Sequence, residues 1–142
     1  MFKMLVPVDG SENSSRAVAF LITKLPLYKE AVEIHLLNVQ SPIASGNVRQ
    51  FFNTKEIDEY YRDEGVVALK AARALLDAAG VSYSHHIGVG DVGETIAKYA
   101  REKQCQQIVM GTRGLGSVVG MLLGSVVTKV LHLTDVPVQL IK

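Results

Sequence analysis

Gln107-Ile108-Val109-Met110-Gly111-Thr112-Arg113-Gly114, followed after nine residues by Gly124-Ser125, is the stretch from which the rest of the chain is best read. The apolar run Gln107–Met110 has the character of a buried strand, and Val126 to Leu133 has that of a helix. The glycines therefore sit at a strand end and at a helix start. Those are the two places where backbone must come close to a phosphorylated ligand. A glycine has no side chain to block the approach. A helix N-terminus adds unpaired N–H groups and the positive end of the macrodipole, and Ser125 adds a hydroxyl.

Outward from this stretch, five short apolar runs alternate with helix-like segments. The runs are Met4–Val8, Val32–Val39, Val81–Val89, Gln107–Met110 and Val136–Ile141. Helical spacing predicts helices over residues 14–25 (Ala17, Val18, Leu21, Ile22, Leu25) and 66–79 (Val66, Leu69, Ala72, Leu76, Ala79), the second stopped by Gly80. Shorter helices are expected over Asp91–Lys103 and Ser125–Leu133. Residues 54–65, with seven charges, read as a solvated helix start. This alternation predicts one α/β domain over residues 1–142, an open five-stranded parallel sheet with helices on both faces. Val6-Pro7-Val8 and Ile34–Leu37 are nearly continuous, as buried strands are. Val81–His85 alternates, which suggests an edge. Residues 41–53 lack a period and are either a lid or a plain connection.

The glycine spacing, the opening Leu5-Val6-Pro7-Val8-Asp9-Gly10-Ser11 and the ending Asp135-Val136-Pro137-Val138 together resemble the universal stress protein (UspA) family. The likeness spans nearly the whole chain, and the spacing resembles the subgroup that binds ATP. The resemblance implies a Rossmann-like fold of the adenine nucleotide alpha hydrolase type, with the first strand central. It implies ATP at the carboxyl edge of the sheet, with Gly111, Gly114, Gly124, Ser125 and Val126 around ribose and phosphates, and the Val39 backbone against adenine. A divalent ion, Mg or Mn, would arrive with the phosphates. It also implies a cytoplasmic homodimer paired through Val136–Ile141, serving as a nucleotide-dependent signalling or stress-response regulator with an unidentified protein partner.

The residues taken alone leave more than one reading open. Asp9, just past the first strand, is placed either to accept from ribose hydroxyls or to make an Asx-turn or helix cap with Ser11. Each glycine singly reads as a turn; three at this spacing read as a ligand loop. Arg113 either pairs with a phosphate or faces solvent. The spacer residues Val118-Val119-Gly120-Met121 are apolar where the family often carries a base, and Gly90-Asp91-Val92 lacks a proline common at the third place. No water-positioning base is visible beside Gly111–Ser125, so slow ATP hydrolysis is the most an enzymatic role would reach. A partner-binding dimer with an empty site and a dinucleotide oxidoreductase complete the set of functions weighed against nucleotide signalling.

Composition narrows the classes further. At 142 residues a chain buries about 68–70% of the surface it exposes unfolded. The formal net charge of +1 is spread along the chain, so neither a nucleic-acid patch nor a basic membrane face is expected. The uncharged stretch Leu115–Thr128 is 14 residues, short of the ~20 a membrane helix needs, and the N-terminus lacks a signal-peptide pattern. Gly114-Leu115-Gly116-Ser117-Val118-Val119-Gly120 has one residue too many for a GxGxxG fingerprint. Cys105 is the single cysteine, without a basic neighbour in sequence to activate it. His35 reads as a core or edge residue, and His85 and His86 fall on opposite strand faces, unable to grip one metal together.

Overall fold

The first strand, β1 (Phe2–Pro7), has Met4, Leu5 and Val6 wholly shielded from solvent, so both of its faces are covered. In this computed structural model residues 1–43, 51–113 and 123–142 are described. Gly114, the spacer 115–122 with its glycine-rich stretches, and residues 44–50 of the expected loop lie outside them. The other strands are β2 (Val32–Gln40), β3 (Tyr83–Val89), β4 (Gln107–Gly111) and β5 (Val138–Ile141), all parallel in the order β3-β2-β1-β4-β5. β1 is central and β3 is an edge, as expected.

Pro7 is compatible with a central strand for a specific reason. The Val8 N–H donates to Leu37 O at 2.8 Å, toward β2. Donor direction alternates along a strand, so the Pro7 nitrogen faces β4. The β1–β4 ladder stops at Leu5↔Ile108, before a donor from position 7 is needed.

Among the described residues four α-helices cover the sheet: α1 (Glu12–Lys24), α2 (Thr54–Ala78), α3 (Val92–Glu102) and α4 (Ser125–Leu133). In α1 the buried Ser14, Ala17, Val18 and Leu21 fall three and four apart. α2 runs 25 residues, so the charged stretch 54–65 is its first half, and it buries Tyr61, Gly65, Leu69, Ala72 and Leu76 on one stripe. Its end explains why β3 starts at Tyr83 rather than Val81. Gly80 has φ +67°, the Gly80 N–H donates to Asp77 O and the Val81 N–H to Leu76 O, so Val81 closes the helix instead of opening the strand.

α1 and α2 pack on one face, where Val18, Leu21, Leu69 and Leu76 meet Met4, Val6, Ile34 and Leu36. α3 and α4 cover the other, where Ile96, Ala100, Val127 and Val130 meet Leu5, Leu37 and Ile108. β5 begins at Val138, two residues later than expected. Pro137 precedes the strand, and its carbonyl accepts the Ile108 N–H at 2.9 Å. Among the described residues no helix is long and apolar enough to cross a membrane.

Candidate functional site

The connections out of β1 and out of β4 lead to helices on opposite faces of the sheet, which opens a crevice at the carboxyl ends of the strands where the order reverses. A cleft of about 790 Å³ lies there, within the ~300–1,000 Å³ of small-molecule sites. Of the residues singled out from sequence, Asp9, Val39, Gly111, Arg113, Gly124, Ser125 and Val126 all line it. Gly114 lies outside the described residues.

Asp9 makes the local turn: its Oδ1 accepts the Ser11 N–H at 2.9 Å. Ser11 in turn caps α1, its Oγ accepting the Ser14 N–H at 3.2 Å. Gly10 between them has φ +83°, which a side chain would resist. The turn and the cleft position coexist, because the turn presents Asp9 at the end of β1.

Gly111 owes its identity to packing. A Cβ there would sit 2.9 Å from the backbone oxygen of Asn13 in α1. Its glycine lets α1 close onto β4, whatever binds in the cleft. Thr112 then ties three elements together. Its N–H donates to Ile141 O at 3.0 Å, and its carbonyl accepts the Gly124 N–H at 2.8 Å. That second bond brings the start of α4 to the end of β4.

The four helix starts differ in one respect. Ser11, Asn53 and Asp91 each cap a helix with a side-chain oxygen, but Gly124 at α4 offers none. The uncapped first turn, Ser125–Val127, lines the cleft. Its N–H groups and the helix dipole favour an anion there. α4 is held by α3: Lys129 Nζ lies 2.9 Å from Asp91 Oδ2 and 3.6 Å from Glu94 Oε1. Hydrogen bonds from Lys129 and from the Glu94 N–H hold the Asp91 carboxyl below the usual carboxylate range.

Sequence reasoning missed Asn38, Gln40 and Tyr60, which also line the cleft. The one available signal was a polar Asn38 inside an apolar run.

Away from the cleft, β2 and β3 bring together two histidines far apart in sequence. His35 Nδ1 lies 3.0 Å from Ser84 Oγ and 3.5 Å from His86 Nε2, and the two rings stack with centroids 5.7 Å apart. Tyr99 of α3 leans on His86, and Glu33 Oε2 sits 3.3 Å from His35 Nε2 without hydrogen-bond alignment. Burial, then the charges of His35, Lys103 and His85, lower the His86 pKa from its ordinary 6.5. A lowered folded-state pKa means that the unfolded chain takes the proton first. The contribution of His86 is therefore complete above about pH 6.5 and is lost as pH falls through its folded pKa. Thermal melts between pH 7.5 and pH 5 should fall more steeply for the wild type than for His86→Phe; parallel slopes would rule this out.

Burial also pushes the Cys105 thiol up, so thiolate is scarce at neutral pH. Among the described residues no three His, Cys, Asp or Glu side chains gather to hold a metal.

The universal stress protein family model matches residues 1–142. Universal stress protein YxiE of Bacillus subtilis is 31% identical, over 99% of this chain and 98% of its own. Among solved structures, hypothetical protein MJ0577 superposes with a TM-score of 0.83 at 27% identity, over 99% of this chain and 95% of that one. Three more distant universal stress proteins share the fold at 21–22% identity. One is in complex with cAMP (TM-score 0.71), one from Archaeoglobus fulgidus with dAMP (0.65), and one from Arabidopsis thaliana with AMP (0.70). They cover 99%, 100% and 100% of this chain, and 97%, 98% and 92% of their own. A doubly wound parallel sheet with this strand order, an open cleft at its switch point and a family match over residues 1–142 lead to one conclusion: the chain belongs to the universal stress protein family.

Proposed function

We propose that the chain binds ATP in the cleft and acts as a nucleotide-dependent signalling protein in a stress response, working in the cytoplasm as a homodimer. The observation that carries this reading is the start of α4. Gly124 leaves that helix without a side-chain cap, and its first turn opens into the cleft beside Arg113. A phosphate group would complete those N–H groups as a capping oxygen does elsewhere. In this reading Asp9 holds ribose, the Val39 backbone meets adenine, and Gly111, Gly114, Gly124, Ser125 and Val126 surround ribose and phosphates. Mg or Mn, if present, rides on the phosphates. The relatives with cAMP, dAMP and AMP support an adenine nucleotide more broadly, so AMP is the competing ligand.

Turnover is expected to be slow. Among the described residues of the cleft Asp9 is the one carboxylate and Arg113 the one cation. Asp9 Oδ1 already accepts the Ser11 N–H, and an arginine does not act as a base at neutral pH. Mass spectrometry of the ligand released on denaturing the purified protein tests the reading. ATP supports it, AMP keeps an adenine nucleotide in the cleft but replaces ATP as the ligand, and a flavin or NAD overturns it. A metal-dependent ATPase rate of about 1 per second or faster would make the protein an enzyme instead.

The dimer rests on β5, which ends the sheet order. Pro137 and Ile141 turn their carbonyls to β4, so Val138 and Leu140 direct their backbone groups outward, as an edge open to pairing. Their side chains pack against the α3–α4 core, so charges placed there would disturb the fold as well. Leu140→Pro removes one outward donor and should yield monomers, with circular dichroism as the check on folding. A wild type that scatters light as a monomer at micromolar concentration, with and without ATP, would exclude the dimer.

A further inference from the structure

The start of α4 is fixed from two sides. On one side the Gly124 N–H donates to Thr112 O at 2.8 Å, which ties the helix to the end of β4. On the other, Lys129, one turn beyond Ser125, reaches across to the start of α3. Its Nζ lies 2.9 Å from Asp91 Oδ2 and 3.6 Å from Glu94 Oε1. Asp91 Oδ2 also accepts the Glu94 N–H at 3.0 Å and so caps α3. One carboxylate oxygen therefore joins the cap of α3 to the side chain of α4.

The stem of Lys129 is placed as closely as its charge. Gly93 lies in the first turn of α3, and a Cβ there would stand 2.9 Å from Lys129 Cβ, 3.0 Å from its Cγ and 3.1 Å from its Cδ. These are the near atoms of the stem, which cannot swing aside unless α4 moves. The bare Gly93 thus lets Lys129 lie flat across α3. Both helix starts form cleft wall: Val92 and Ile96 of α3 line it, as do Ser125, Val126 and Val127 of α4. Asp91, Glu94 and Lys129 stand behind that wall, so they act on the cleft only through the helices they join.

We infer that Lys129 is a positioning residue: clamped by Asp91 and Glu94, it sets where the first-turn N–H groups of α4 stand, and so how well the cleft holds the phosphates of a nucleotide rather than its nucleoside part. This rests on the nucleotide reading of the cleft. Hydrogen bonds weaken steeply as their angle falls, so a small tilt of α4 costs phosphate contacts first. A half-exposed ion pair adds little to global stability, so its loss leaves the fold in place and is felt as geometry.

Titration calorimetry of the full chain with ATP and with adenosine tests this in two variants. Lys129→Met keeps the unbranched stem over Gly93 and removes the cation. Asp91→Asn with Glu94→Gln removes the carboxylates and keeps the cap of α3, since asparagine caps as well as aspartate. Charge near the phosphates changes in opposite directions in the two. A Coulomb field alone would weaken ATP binding in the first and tighten it in the second. The clamp requires both to bind ATP more weakly, by about threefold to fivefold, the upper part of what a part-exposed pair can couple. Adenosine binding and the melting temperature without ligand should stay near the wild-type values. Changes of opposite sign for ATP overturn the inference in favour of a charge effect. ATP affinities equal to the wild type in both variants overturn it too, as does the same loss for adenosine as for ATP, which marks a general defect. In each of these cases wild-type binding of ATP still stands. A wild type that binds no ATP defeats the nucleotide reading, and the inference with it.

Discussion

Gly124→Val is expected to fold and to lose the rise in melting temperature that ATP produces in the wild type. Gly124 has φ −73° and ψ 164°, an extended conformation that valine adopts without strain. Its N–H would still reach Thr112 O, and its carbonyl would still accept from Thr128. Valine is a poor helix cap, which costs ~1 kcal/mol. The branched side chain would, however, stand at the open start of α4, where a phosphate belongs. A ligand at 100 times its Kd adds ~2.7 kcal/mol to stability, several degrees of melting temperature at this size. A folded Gly124→Val that keeps the whole ATP-induced shift would remove phosphate binding at α4. Gly111→Ala should behave differently. Its Cβ meets the Asn13 backbone, so overpacking of ~1–3 kcal/mol is expected without any ligand. Equal melting temperatures for Gly111→Ala and the wild type would contradict that packing role.

Asp9→Ala is expected to weaken ATP binding roughly tenfold or more. A hydrogen bond to a charged group contributes ~1.5–3 kcal/mol, and tenfold in affinity is ~1.4 kcal/mol. The alanine also removes the acceptor for the Ser11 N–H, so a lower melting temperature without nucleotide is part of the expected result. Asp9→Asn separates the two effects. Its amide oxygen can keep the turn, while the charge facing the ligand is gone. Titration isotherms that coincide for wild type and Asp9→Ala would exclude the ribose role, and a loss confined to Asp9→Ala would assign the effect to the turn.

Sequence pattern by itself determined the elements, because strands and helices are set by short-range periodicity. Leu69, Ala72 and Leu76 repeat at helical spacing and all are buried in α2; Met4, Leu5 and Val6 run together and all are buried in β1. The glycine and serine of Gly124-Ser125 marked a helix start, because cap chemistry is local. The boundaries were less legible. Val81 looks like strand residues but closes α2, since the Schellman bond claims its N–H first.

Only the tertiary structure decided which polar groups meet. His35 reaches His86, and Asn38 reaches Val8 O, across 51 and 30 residues of chain. These meetings depend on the register of β2 against its two neighbours, and a shift of one residue would turn each side chain to the other face. Gly111, read from sequence as part of a ligand loop, is also where α1 touches β4, because what a missing Cβ makes room for depends on which element lies opposite. Gln40 falls one residue beyond the apolar run Val32–Val39, yet it is the last residue of β2. The orientation of its amide depends on the chain just past β1, where Val8 O accepts from Asn38 Nδ2 and Asn38 Oδ1 in turn accepts from Gln40 Nε2.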